Sequence, residues 1–205
     1  MNMKERMTGG LLYIVNDELR PEVQKSRKLV RMFNSTTEDE TEYRAQLIKE
    51  LFSSTGQDVY IEPPFRCDYG MNISVGNNFY ANFNCVILDV CPVIIGDNVM
   101  FGPDVGIYTA SHPIDAAIRA TKVEYGKPIT IGDNVWIGGH TVINGGVNIG
   151  EGTIIGSGSV VTKSIPSGVI AAGNPCSIIR SITKDDSEYW QRQKTEFDNA
   201  LSYER

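Results

Sequence analysis

Histidine is scarce in this chain, with only His112 and His140 among 205 residues. That argues against a zinc centre built on three imidazoles. Cysteine is sparse too: Cys67, Cys85, Cys91 and Cys176 form no CxxC pair and have no histidine at zinc-finger spacing. They read as reduced core thiols, and no metal is expected. Basic residues are in deficit, 19 Lys and Arg against 25 Asp and Glu, and the net charge of −6 argues against nucleic-acid binding. Long apolar runs are missing. No stretch of about 18 apolar residues exists to cross a membrane, and Met1-Asn2-Met3-Lys4-Glu5-Arg6 is not followed by the apolar core of a signal peptide. The expected location is the cytoplasm.

What the chain does have is glycine, 20 residues, and a hydrophobic fraction of 41%, enough for a packed core. Counting in sixes from Ile131 meets Ile137, Ile143, Ile149, Ile155 and Val161, all β-branched aliphatics. Gly132, Gly138, Gly150 and Gly156 follow their anchors directly, and Val135, Thr141, Val147, Thr153 and Ser159 stand four places on. The same frame runs earlier through Val75, Ala81 and Ile87, then Ile95, Phe101 and Ile107, with a slip between Val90 and Ile94. A period of six matches neither the helical 3.6 nor the alternation of an ordinary strand. It matches a short strand and a corner, with three such sides closing a coil of about 18 residues and coils stacking at ~4.8 Å. The expected fold is mainly β, a parallel β-helix over residues 57–180. Cys67 and Cys85, 18 residues apart, should stack.

The frame fails once. Pro113, Arg119 and Tyr125 fall where anchors should stand, so about 113–128 leaves the helix as an excursion loop. A polar loop on a rigid scaffold is where function concentrates. His112 stands at its root, and imidazole is a side chain suited to general acid–base work. His140, inside a regular hexad, reads as a surface or corner residue.

The flanks are helical. Residues 1–56 form a cap, with Leu19, Val23, Val30 and Phe33 near helical spacing around Pro21. Thr37 and Glu40 have the form of a capping box, Tyr43, Leu47, Leu51 and Phe52 share one face, and Gly56 ends the helix. Residues 181–205 carry Trp190, Phe197 and Leu201 on a C-terminal helix, expected to cover one end of the core.

Several segments together carry a family resemblance: Asn82-Phe83-Asn84, Asp89-Val90-Cys91-Pro92, Thr109-Ala110-Ser111-His112-Pro113, Glu124-Tyr125-Gly126-Lys127-Pro128, Asn134-Val135-Trp136-Ile137-Gly138-Gly139 and Ala172-Gly173-Asn174-Pro175. The chain resembles the hexapeptide-repeat sugar O-acetyltransferases, the group of maltose, galactoside and nodulation-factor acetyltransferases, and is most similar to the maltose branch. The resemblance implies left-handed coils and transfer of an acetyl group from acetyl-CoA directly to a sugar hydroxyl. It also implies a homotrimer with sites between subunits. His112 matches the family's general base. Asn82, Tyr80 and Asp68 match the acceptor side, and Glu124 either contacts the acceptor or orients His112. Trp136, Gly139, Ser157, Thr162, Lys163 and Arg180 match the CoA side, the Gly139 N–H at the position of an oxyanion donor. Ser177 stands where some relatives carry a second arginine.

Three other functions compete. A xenobiotic or amino-acid acetyltransferase would use the same scaffold, but such relatives generally lack the helical cap. A zinc enzyme of the gamma carbonic anhydrase type needs three histidines. A non-catalytic β-solenoid binding protein needs a flat outward array such as a threonine ladder, and the sequence has none.

Overall fold

The computed structural model describes the backbone of residues 1–203 and the side chains to residue 201. The chain opens with helices α1 (Met3–Thr8), α2 (Arg20–Asn34) and α3 (Thr41–Leu51). It then winds into a parallel solenoid with three faces. The first face stacks Ser54–Thr55, Ile73–Val75, Val93–Ile95, Ile129–Ile131 and Asn148–Ile149. The second stacks Tyr60–Ile61, Tyr80–Ala81, Met100–Phe101, Trp136–Ile137, Ile154–Ile155 and Val169–Ala172, closed by an antiparallel strand, Ser177–Ser181. The third stacks Arg66–Cys67, Val86–Leu88, Gly106–Tyr108, Val142–Asn144 and Val160–Val161. Helix α4 (Ala116–Ala120) lies in the excursion, and α5 (Lys184–Tyr203) ends the described chain.

The six-residue period produces this shape because each anchor turns inward. Ile131, Ile137, Ile143, Ile149, Ile155 and Val161 are all 2% exposed or less. The residues four places on fill the remaining space, and the hydroxyls among them find backbone acceptors, Thr153 Oγ1 donating to the Pro166 carbonyl at 2.7 Å. Corners need left-handed backbone, which asparagine tolerates. Asn78, Asn98 and Asn134 take φ of 55°, 55° and 58° in one column. Their amides form a ladder, Asn78 Nδ2 donating to Asn98 Oδ1 at 2.9 Å and Asn98 Nδ2 to Asn134 Oδ1 at 3.1 Å.

The coil length is not uniform. Arg66 pairs with Val86 and Tyr60 with Tyr80, a 20-residue step, whereas Trp136 pairs with Ile154, an 18-residue step. The early coils carry two extra residues at the corner between the third and first faces. Cys67 therefore pairs with Ile87, and the expected stack of Cys67 on Cys85 does not form.

Three further expectations are corrected. Glu40 accepts hydrogen bonds from Thr37 N and Oγ1, but α3 begins only at Thr41, so the pair closes a preceding turn rather than capping the helix. Gly56 does not end α3. It lies against the next coil, where a Cβ would come 2.5 Å from the Asn77 nitrogen. Helix α5 covers no core: Trp190, Phe197 and Leu201 are 67%, 57% and 47% exposed. After the strand Ser177–Ser181 the chain leaves the solenoid, tethered by Arg180 and Asp186.

The N-terminal segment builds a second, small core. Met7, Tyr13, Leu19, Tyr69 and Val90 cluster, and Ala110 at the root of the excursion packs against them. The cap thus sits over the corner from which the excursion leaves. No helix among the described residues is long and apolar enough to cross a membrane.

Candidate functional site

The excursion is an antiparallel hairpin. Ala110 pairs with Gly126 and Ser111 with Tyr125; continued by one step, this register sets His112 opposite Glu124. The His112 side chain is exposed. Tyr13 continues the ladder on the far side of Glu124, with N–H to carbonyl bonds of 2.9 Å in both directions. The Tyr13 hydroxyl donates to Glu124 Oε2 at 2.8 Å. Burial, then the Glu124 carboxylate, push that hydroxyl far above its ordinary pKa, so it remains a protonated donor. Tyr13, Glu124 and His112 form one row across three strands, where side chains of neighbouring residues share a face. The hydrogen-bond partner of Glu124 is Tyr13, not His112.

Asp68 lies beside this row. Burial raises its carboxyl, the Glu124 charge raises it further, and Arg27 opposes both. Beneath it Asp89 is fully buried and accepts from the backbone nitrogens of Asp68, Tyr69 and Asn72 at 3.1, 2.9 and 3.3 Å. Burial pushes Asp89 up to about 6 against the pull of the backbone donors. Asp89 thereby holds the enlarged corner that carries Asp68.

Three of the other expected residues occupy a different corner, between the second and third faces. Asn82, Gly139 and Ser157 follow the strands at Tyr80–Ala81, Trp136–Ile137 and Ile154–Ile155. Asn82 is half-buried, and its Oδ1 accepts from the Phe83 nitrogen at 2.7 Å. Gly138 and His140 donate their N–H groups to the carbonyls of Ile155 and Pro103, whereas the N–H of buried Gly139 meets no protein acceptor among the described residues. An amide without a protein acceptor is a candidate donor to a ligand oxygen.

Tyr80 and Trp136 project outward on the second face, two strand steps apart through Met100. Tyr80 stacks on Tyr60, ring centroids 6.2 Å apart, and Trp136 is 49% exposed. Thr162 and Lys163 are exposed beyond the last strand of the third face. Arg180 is held bidentately by Asp186, at 2.6 and 2.8 Å, which drives the Asp186 carboxyl far below its usual pKa. A phosphate would have to share Arg180 with that carboxylate. His140 is the corner residue expected, with φ of 56° and its Nε2 3.8 Å from Asp104 Oδ2.

The structure therefore brings His112, Glu124 and Asp68 to one corner and Asn82, Gly139 and Ser157 to another. The third face separates them, roughly 15–20 Å of chain at ~3.3 Å per residue. The role of Tyr13 was not evident from sequence, since its partner lies 111 residues away. All four cysteines are free, and burial raises each thiol, Cys85 to about 11. Protonated thiols are poor nucleophiles.

Comparison with known proteins places these features. The maltose acetyltransferase hexapeptide capping motif matches residues 6–56, the bacterial transferase hexapeptide model residues 128–163, and the hexapeptide repeat of succinyl-transferase residues 92–112. A maltose O-acetyltransferase from Clostridium difficile 630 superposes with a TM-score of 0.89 at 51% identity, covering 90% of this chain and 99% of that one. A galactoside acetyltransferase in complex with coenzyme A superposes with a TM-score of 0.88 at 45% identity, covering 91% and 94%. The galactoside O-acetyltransferase of Escherichia coli is 46% identical over 93% of this chain and 94% of its own length. With the cap, the repeats and the near-full-length likeness in agreement, the chain belongs to the hexapeptide-repeat sugar O-acetyltransferase family.

Proposed function

We propose that this protein moves an acetyl group from acetyl-CoA directly to a sugar hydroxyl, at sites formed between neighbouring subunits of a homotrimer. The observation that carries this reading is the split of the site residues over two corners of one solenoid. The general-base candidate lies on one corner and the free oxyanion donor on the other, too far apart to act on one carbonyl within a chain. A cyclic, head-to-tail association brings the first corner of one subunit against the second corner of the next and closes after three copies.

The chemistry follows. The His112 imidazole takes the proton of the sugar hydroxyl as its oxygen attacks the thioester carbon. Charge developing on the thioester oxygen is met by the Gly139 N–H. The C–S bond then breaks, and the departing CoA sulfur takes the proton from the imidazolium. Raised, protonated thiols speak against a cysteine acyl-enzyme, which supports direct transfer. Asn82, Tyr80 and Asp68 serve the acceptor. Trp136, Ser157, Thr162, Lys163 and Arg180 serve CoA, the basic pair suiting its phosphates. Four free thiols suit a reducing compartment, and we assign the cytoplasm.

The test is release of free CoA thiol from acetyl-CoA against a panel of neutral, amino and acidic sugars, with sedimentation of the active species. Sugar-dependent release by a three-chain species is the expected result. Absence of release with every sugar, or full activity in a monomer, overturns the reading.

Within this reading Tyr13 holds Glu124 on the acceptor side. Tyr13→Phe keeps the ring but removes the hydrogen bond, and should raise the acceptor KM roughly 3- to 10-fold through looser placement of the Glu124 carboxylate. The KM for acetyl-CoA should stay within twofold, and the effect should vanish in a Glu124→Ala background, which has no acceptor for the Tyr13 hydroxyl. Equal change in both KM values would remove Tyr13 from acceptor binding.

A further inference from the structure

A groove of about 590 Å³ lies between α2 and the outer side of the third face. Val86 and Leu88 contribute apolar lining, and Arg27, Arg31, Arg66 and Asp68 line it with them. Its geometry is built from two directions. Asn34 donates Nδ2 to the Phe65 carbonyl at 2.9 Å and accepts from the Phe65 nitrogen at 2.8 Å. That pair of hydrogen bonds locks the end of α2 onto the residue preceding Arg66, so the Arg27–Arg31 row of the helix and Arg66 of the strand line the same groove.

Three guanidinium groups gathered in this way are costly. Arg27 and Arg31 are like charges at i, i+4, a destabilising spacing. None of the three forms an ion pair within 4.0 Å among the described residues. The protein as a whole carries −6, so this is a local reversal of sign and not a general basic surface. A lined groove with convergent polar groups is the form of a ligand site, and the planar fork of arginine matches phosphate or carboxylate.

We propose that the groove binds an anionic group, phosphate or carboxylate, carried by the acceptor, which makes an acidic or phosphorylated sugar the preferred acceptor. The proposal rests on the acetyltransferase reading above. Asp68 links the two sites. It lines the groove, and its carboxyl feels the Glu124 charge opposite His112. The phosphates of CoA are a different matter. Arg66 and Val161 stand at opposite ends of the third face, four strand steps apart, about 19 Å at ~4.8 Å per step, and the expected CoA residues Thr162 and Lys163 follow Val161.

The experiment compares a neutral hexose, its phosphate ester and its uronic acid as acceptors by thiol release. The expected kcat/KM for at least one anionic sugar exceeds that of the neutral one tenfold or more, and whether phosphate or carboxylate gains identifies the group. Arg66→Gln, or Arg31→Gln should the first not fold, lowers the anionic-to-neutral ratio at least tenfold. Lys28→Gln on the same helix removes the same charge outside the groove and keeps the ratio. Equal use of neutral and anionic sugars overturns the proposal, as does a Lys28→Gln effect equal to that of Arg66→Gln. If no sugar is acetylated, the acetyltransferase reading fails by itself. The groove is then scored by thermal shift with inorganic phosphate and sugar phosphate: a shift lost in Arg66→Gln supports it, and no shift overturns it.

Discussion

Replacing His112 with alanine should lower kcat for acetyl transfer about 100- to 10,000-fold, the range of a lost general base. That corresponds to roughly 2.7–5.5 kcal/mol of barrier. The KM for acetyl-CoA should change little, because the role proposed for His112 is proton transfer and the expected CoA residues Gly139 and Ser157 lie on the other corner of the solenoid. Stability should hold as well. The side chain is exposed and lies outside both hydrophobic cores, so truncation opens no cavity. Steady-state thiol release with matched thermal melts checks both halves. A His112→Ala enzyme within tenfold of the parent rate would take His112 out of the mechanism.

Gly102→Ala should be a strongly damaging small substitution at the other corner. A Cβ there would lie 2.5 Å from the Gly139 nitrogen and 2.9 Å from its Cα, both backbone atoms that cannot swing aside. Relief requires the coils to part at the point where Gly102 N donates to the Ile137 carbonyl at 2.8 Å. Overpacking of this kind costs about 2–4 kcal/mol, a fall in Tm of roughly 5–15 °C for a chain of this size. It should also lower kcat, since the displaced group is the proposed oxyanion donor. Gly152→Ala is the matched control. Its φ of 66° makes alanine strained, yet nothing lies within 4 Å of the new carbon, so the cost is about 1–2 kcal/mol with kcat retained. If Gly102→Ala behaves like Gly152→Ala, coil-to-coil contact at this corner is looser than the structure shows.

The contrast between these two glycines also marks how much was legible in the chain. The hexad frame located the inward anchors residue by residue, because an aliphatic side chain every six positions has one face on which to be buried. The single long break located the hairpin and His112, since Pro113, Arg119 and Tyr125 cannot replace aliphatic anchors. Neighbours along a strand or corner follow from local chemistry, and there the expectations held. They failed wherever a contact depended on how many residues a corner holds. Two extra residues near Asp68 and Asp89 shift the early coils to a 20-residue step, which separates Cys67 from Cys85.

By itself, then, the sequence determined the solenoid, its core and the place of its interruption, since period and anchor chemistry are local properties that one coil imposes on the next. Only the tertiary structure decided what surrounds His112. The Tyr13–Glu124 bond, the convergence of three arginines between α2 and the third face, and the exposure of α5 join or separate residues far apart along the chain. Above all it decided that the general-base candidate and the free Gly139 amide stand on different corners. Three-sided winding puts the two ends of a strand at opposite edges of a face, so within one chain these two candidates stand apart.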